Sequence, residues 1–350
     1  MSTHNHNVTV GRSKYATTST SVTDPDLTPY AKTVQIQAES ANRIAADNAL
    51  GARVTTLEAG MANALLRIAA VEAHFTPPAP PSGVVKAFPG SGANTIAAFQ
   101  AMTTDTTIDV IEMAAGVYPW RAAAITADRT ARPLVIRPAV GATVEFNCAG
   151  DGDWGDPIFE LNGCAYVTFD GSPGLFYFHH ILLAEEGLFT AVGASHVTLN
   201  HIKVRNVAGN THAADQESAH CVYVSHGCHD FILNYWDCAS LQAADESGGV
   251  YGVNGLQLYT GGTGAAIYNV TATHWTVDHA NWATVVRNSS TGLIYSNWVV
   301  SYCGQNGAPA AMDFGSSGNT GTVSNVTTTA SVGTPHIMGS MTDGGGNSWA

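Results

Sequence analysis

Across the later three-quarters of the chain, apolar and polar positions alternate in short runs, and the runs recur in groups of three. An apolar run closes on Asp170, Asn200, Asn234, Asn269, Asn297 and Asn325, at spacings of 30, 34, 35, 28 and 28 residues. A repeat of this length predicts a solenoid whose unequal spacings are absorbed in loops while the strands keep register. Asparagine tolerates the left-handed backbone region, and its amide can bond its counterpart one rung away, so these positions predict an asparagine ladder. Upstream of the ladder lies a first column of strands at 158–161, 188–191, 221–224, 256–259, 284–286 and 311–314, leading into turns such as Asn162-Gly163 and His226-Gly227. Downstream lies a third column at 175–178, 202–204, 236–238, 275–277 and 298–300. Three parallel strands per turn, with the longest loops after the third, predict a mainly β chain: a parallel β-helix over 84–350.

The pattern changes towards the N-terminus. Between 33 and 76, Leu50, Leu57, Ala64 and Val71 fall seven apart, and Val54, Met61, Ile68 and Phe75 fill the second seam. So narrow an apolar stripe is satisfied by another helix of the same kind, which predicts an α-helical coiled coil and an oligomer; the seam residues suit two strands as well as three. The proline-rich run 77–83 stops the helix and reads as a semi-rigid linker. Residues 1–32 are polar, with Asp24-Pro25 and Thr28-Pro29 breaking any helix, and read as an attachment segment that orders against a partner. Residues 96–101 predict a short helix capping the open end of the solenoid.

Composition narrows the choice of partner. The 350 residues carry a formal net charge of −13, and only 12% are charged, so the clustered cations that nucleic acid or an anionic membrane demands are missing. A polysaccharide remains compatible. No run approaches the 18 or so apolar residues of a membrane span, and residues 1–6 lack the pattern of a signal peptide, so another way out of the cell is expected, of which lysis of an infected host is one. The six cysteines show no paired metal spacing and read as buried, reduced wall residues.

Candidate chemistry gathers where the solenoid carries extra residues. The loops hold His179, His180, Glu185 and Glu186, then His212, Asp215 and Glu217, then Asp245 and Glu246, then Asp278 and His279. Stacked rungs would bring such loops side by side. Two carboxylates held close together titrate apart, which is what glycoside hydrolysis requires, so Asp215, Glu217, Asp245 and Glu246 form the candidate catalytic set. A solvated acidic edge and a Ca²⁺ site are the alternatives, and no other cofactor is expected. His212, Trp236, Tyr251, Trp275 and Trp282 are the candidate glycan-binding residues, with stacking inside the solenoid the competing reading for the tryptophans. Lys203, Arg205 and Arg287 are few for a polyuronate lyase.

The three-column repeat, together with Gly116-Val117-Tyr118, Arg137-Pro138 and Gly141-Ala142-Thr143-Val144 in the first rungs, resembles the pectate-lyase-like right-handed β-helix superfamily, which includes phage tailspikes. The order of attachment segment, heptads, linker and solenoid resembles a bacteriophage tail fibre or minor tail protein. That resemblance implies a homotrimer located in the virion, docked through 1–32 on other tail or baseplate proteins, whose solenoid recognises host envelope glycan. It implies as its alternative a tailspike depolymerase, a glycoside hydrolase or polysaccharide lyase, acting on that glycan.

Overall fold

The computed structural model describes residues 37–51, 53–54, 83–92, 94–148, 156–183, 187–209, 219–243, 252–261, 264–304, 310–316, 318–330 and 334–349. The chain divides into two compact units, Met1–Ala73 and His74–Ala350. In the first, residues 37–51 and 53–54 are helical, and Arg43 pairs with Glu39 at 2.9 Å along one face. Leu50 and Val54 of the predicted seams are exposed, as is Ile44 upstream of them. The seam residues beyond Val54, and the segments 1–32 and 77–82, lie outside the described residues.

The second unit is mainly β. Its described strands form one sheet of 13 strands and one of 8, and all pairs within them are parallel. The smaller sheet is the first column and runs from Ala123–Ile125 through Leu188 and Leu256 to Thr334–Ile337. The larger sheet holds the second and third columns. Each strand pairs with its equivalent one repeat away, an arrangement consistent with a parallel β-helix. Between the sheets, Phe159, Phe169, Phe178 and Phe189 interlock with centroids 4.8–6.3 Å apart, and apolar residues fill the remaining interior.

The second and third columns merge in the later rungs. Ser195–Gly209 and His229–Ala243 are each one continuous strand of 15 residues, and Tyr268–Asp278 continues them. They turn corners by single residues in the left-handed region, where a non-glycine residue costs roughly 1–2 kcal/mol. Those residues form rows. Tyr166, His196, Asp230, Asn269 and Gly292 make the first corner; His201, Tyr235, His274, Asn297 and Asn325 the second; His180, Asn206, Ser240, His279, Tyr302 and Ala330 the third, with φ between 49° and 65° throughout.

This register corrects the ladder. Asp170, Asn200 and Asn234 are in line, but the row continues through Thr273, Ser296 and Ser324. Asn200 Nδ2 donates to Asp170 Oδ1 at 3.0 Å, and Thr273 Oγ1 donates to Asn234 Oδ1 at 2.6 Å. Asn297 and Asn325 sit one residue further on, at the second corner, and Asn269 sits at the first, where it bonds Asp230. Asparagine serves two jobs here, hydrogen-bonding along a row and tolerating positive φ, and the two positions are adjacent.

The helix Ile96–Thr104 closes the end of the solenoid as expected. Thr95 Oγ1 accepts from the Ala98 amide at 3.2 Å, and Phe99 is buried against Phe88, Trp120 and Phe159. Arg129, buried beside the helix end, donates to the carbonyls of Asp105, Arg132 and Ile108. All six cysteines are buried, and burial pushes the Cys164 thiol up to about 12 and that of Cys228 up to about 11, away from reactivity.

Candidate functional site

Within each later rung, side chains alternate strictly between the second and third corners. Ile202 and Val204 point in while Lys203 and Arg205 point out; Trp236 and Cys238 point in while Asp237 and Ala239 point out. This parity decides the fate of the predicted glycan-binding tryptophans. Trp236 and Trp275 are 1% and 0% exposed and belong to the interior, a correction to the expectation that they stack sugars. They stack on each other at 4.8 Å, and Trp275 on Trp298 at 4.8 Å, which is the spacing of the rungs. Each indole N–H donates to a carbonyl one rung back: Trp236 to Leu199, Trp275 to Leu233 and Trp298 to Ala272, at 3.3, 2.9 and 2.9 Å. Buried indoles are thereby satisfied without water.

The residue before each tryptophan is the one that faces out. His201, Tyr235 and His274 stack in turn, with centroids 4.5 Å apart at both steps and interplanar angles of 17° and 18°. Tyr235 is 44% exposed, yet both faces of its ring are covered by imidazoles. What lies outward is a row of ring edges repeating once per rung, with Tyr235 and His274 exposed and His201 Nδ1 buried. His274 Nδ1 lies 3.1 Å from Asn234 Oδ1 and its Nε2 3.2 Å from Asn297 Nδ2, which extends the row. Two ring pairs stand at the first corner: Tyr166 tilted against His196 at 4.2 Å, and His229 stacked on Tyr268 at 4.6 Å. Asp230 lies under them, with Oδ2 2.8 Å from His229 Nδ1 and 3.5 Å from His196 Nδ1, while Oδ1 accepts from Asn269. Burial pushes the Asp230 carboxyl up, but the bonds from His229 and Asn269 and the charge of the two imidazoles outweigh it, and its pKa ends below the ordinary value.

Between the second and third corners the outer face of the third column is the richest in chemistry among the described residues. Moving across rungs, one row reads Glu145, Tyr177, Lys203, Asp237 and Thr276, and the next Asn147, His179, Arg205, Ala239 and Asp278. Lys203 Nζ stands 5.5 Å from the centre of the Tyr177 ring. Arg205 Nη2 donates to Asp237 Oδ2 at 2.6 Å. His179, nearly buried and stacked on Tyr177 at 4.3 Å, has Nε2 3.3 Å from Glu145 Oε2 and Nδ1 2.8 Å from His180 Nδ1. At the third corner His279 pairs with Asp278 at 2.6 Å and stacks on Tyr302 at 4.7 Å.

Of the predicted site residues, Asp215, Glu217, Asp245, Glu246, His212 and Tyr251 lie outside the described residues, as do Glu185 and Glu186. His179, His180, Asp278 and His279, expected on one edge, do share the rows of the third corner, with Arg205 between them. Trp282 is half-buried beside the eight-stranded sheet, away from that face; its amide donates to Asn254 Oδ1, and Arg287 lies over its ring at 5.9 Å. The residue pattern points to Tyr235, beside Trp236, as a candidate sugar-stacking ring, but not to His201, His274 or Tyr177. The available signal was the dipeptide Tyr235-Trp236, His274-Trp275, Asn297-Trp298, repeated at one place in consecutive rungs. Among the described residues no group of three His, Cys, Asp or Glu is placed to hold a metal ion, and no helix is long and apolar enough to cross a membrane. Comparisons with family models, curated proteins and solved structures return no match.

Proposed function

We propose that the chain is a phage tail fibre or minor tail protein: a right-handed parallel β-helix, made a homotrimer by a coiled coil over 33–76 and attached to the tail through 1–32, that recognises host envelope glycan. The observation that carries glycan recognition is the outward column His201, Tyr235, His274, whose polar ring edges repeat at the rung spacing. A ligand that is itself a repeat of hydroxylated units meets one such row with one set of hydrogen bonds per rung. The rigid strand beneath holds these groups in place before binding, which limits the entropy lost on association. The trimer rests on the heptads and on the apolar seam residues Leu50 and Val54, left uncovered in the single chain together with Ile44 upstream of them. Light scattering of the whole protein is expected to give three times the chain mass. Purified protein is expected to bind fragments of host envelope polysaccharide, and the triple substitution His201→Ala, Tyr235→Ala, His274→Ala to abolish that binding with the melting temperature nearly unchanged. Undiminished binding by the triple variant removes the reading.

Cleavage is a second reading, favoured by one observation, the chain of Glu145, His179 and exposed His180. A carboxylate behind an imidazole is how a general base is oriented. Incubation with host glycan is then expected to release reducing ends or unsaturated sugars, and His180→Ala to stop the release. Binding without release assigns recognition alone.

A further inference from the structure

Charge on the outer third-column face is distributed unevenly, and the unevenness falls on one side chain. Among the described residues of the solenoid, Arg132 pairs with Asp109, Arg137 with Glu112, Arg205 with Asp237 and Arg287 with Asp313. Lys203 has no carboxylate partner there. Its neighbour in register one rung on is Asp237, the group placed to neutralise it. Asp237 instead turns to Arg205: Nη2 meets its carboxylate at 2.6 Å and Nη1 its carbonyl at 2.8 Å, while the same Nη1 also donates to Val204 O at 2.7 Å. On the other side, one rung back, Lys203 meets the Tyr177 ring, 5.5 Å from Nζ to its centre. An aromatic face attracts a cation and holds it in place without neutralising it.

The ammonium is therefore half-buried, propped by a phenol and left with its full charge in a chain whose formal net charge is −13. Beside it the Tyr177 ring is held by stacking on His179, which is itself fixed between Glu145 and His180. A compact, strongly hydrated ammonium is a point-charge ligand for a carboxylate or phosphate oxygen. We infer that Lys203 seats the anionic substituent of an acidic glycan, with the neighbouring Tyr177 phenol taking a hydroxyl of the same unit. The inference rests on the glycan-binding reading of this face and adds to it the charge of the ligand.

Binding of the full-length protein to three polymers tests it: polygalacturonate, which carries carboxylates; poly(glycerol phosphate), which carries phosphates; and neutral dextran. The expected result is binding to one or both anionic polymers and not to dextran. Lys203→Gln is expected to weaken it about tenfold or more, as for loss of a charged hydrogen bond; Lys203→Arg is expected to keep most of it. Added salt should weaken wild-type binding and have little effect on the Gln variant. Whichever anionic polymer binds identifies the substituent as carboxylate or phosphate. Equal affinity of wild type and Lys203→Gln, with matching thermal melts, overturns the inference. Binding of dextran as tight as that of either anionic polymer overturns it while leaving the glycan reading intact; binding of none of the three also overturns it, and the glycan reading falls with it only when host envelope polysaccharide is not bound either.

Discussion

Two columns run side by side along the same strands, the inner one of Trp236, Trp275 and Trp298 and the outer one of Tyr235, His274 and Asn297, each outer residue immediately preceding its inner neighbour. Both repeat at the rung spacing, and in both the rings lie nearly parallel at less than 5 Å. They differ in what surrounds the ring edges. Indole edges are dry and bonded to backbone carbonyls; phenol and imidazole edges meet water. The cause is a single backbone angle: Tyr235 and His274 adopt φ of 55° and 57°, which swings the side chain out at the corner and leaves the next residue pointing in. Stacking of one geometry thus supplies stability on one face of the wall and an organised set of polar atoms on the other.

Substitutions in the two columns should separate these roles. Trp275→Ala removes a fully buried indole between two others and is expected to cost about 3–5 kcal/mol in chemical denaturation; a loss below about 1 kcal/mol would place the indole outside the core. Asn234→Ala, in the row between the columns, deprives Thr273 Oγ1 and His274 Nδ1 of their acceptor. It is expected to cost about 1–3 kcal/mol. Asn325→Ala should cost less and act differently, through the φ of 52° that alanine tolerates poorly. Equal losses at the two asparagines would contradict the register described.

Acid should expose a third, smaller difference, at the first corner. The folded pKa of Asp230 lies below its ordinary value of 3.8, so its contribution is present at neutral pH and is lost as pH falls below about 4, through the folded pKa. Melts of the wild type should therefore lose stability below pH 4 more steeply than those of Asp230→Asn. Parallel profiles would show that the two imidazoles do not hold the carboxylate. The smallest expected effect is that of Tyr235→Ala, which should change stability by less than about 1 kcal/mol because the ring edge stays in water, yet reduce glycan binding.

Much of this wall was legible in the residue pattern. Period and alternation located all three columns and the capping helix, because a two-sided strand that must bury one face writes that need at every second position. What escaped was the corner. A strand that turns through one left-handed residue keeps its length but shifts which side the following residues face, and nothing in hydrophobicity marks the shift. Hence the pattern puts Asn297 on the ladder when it occupies the corner, and leaves Trp236 and Trp275 open between surface and interior when the corner residue before each takes the surface place. Identity alone also left the cations unsorted: that Arg205 is neutralised and Lys203 is not depends on which way Asp237 turns, a choice between two donors in neighbouring positions.

The closed end of the wall bears on self-association. A stack of parallel strands is a template, and any uncovered terminal rung can recruit the matching strand of another copy and grow without limit. Here one end carries the helix Ile96–Thr104, with Phe99 seated on the aromatic rings below it. At the other, the larger sheet dwindles to Thr342–Asp343, two residues long and followed by Gly344, Gly345 and Gly346, the last two at positive φ. So short a strand offers few aligned donors and acceptors to a neighbour. The helix-covered end is thus shut against end-to-end addition of a matching strand from another copy.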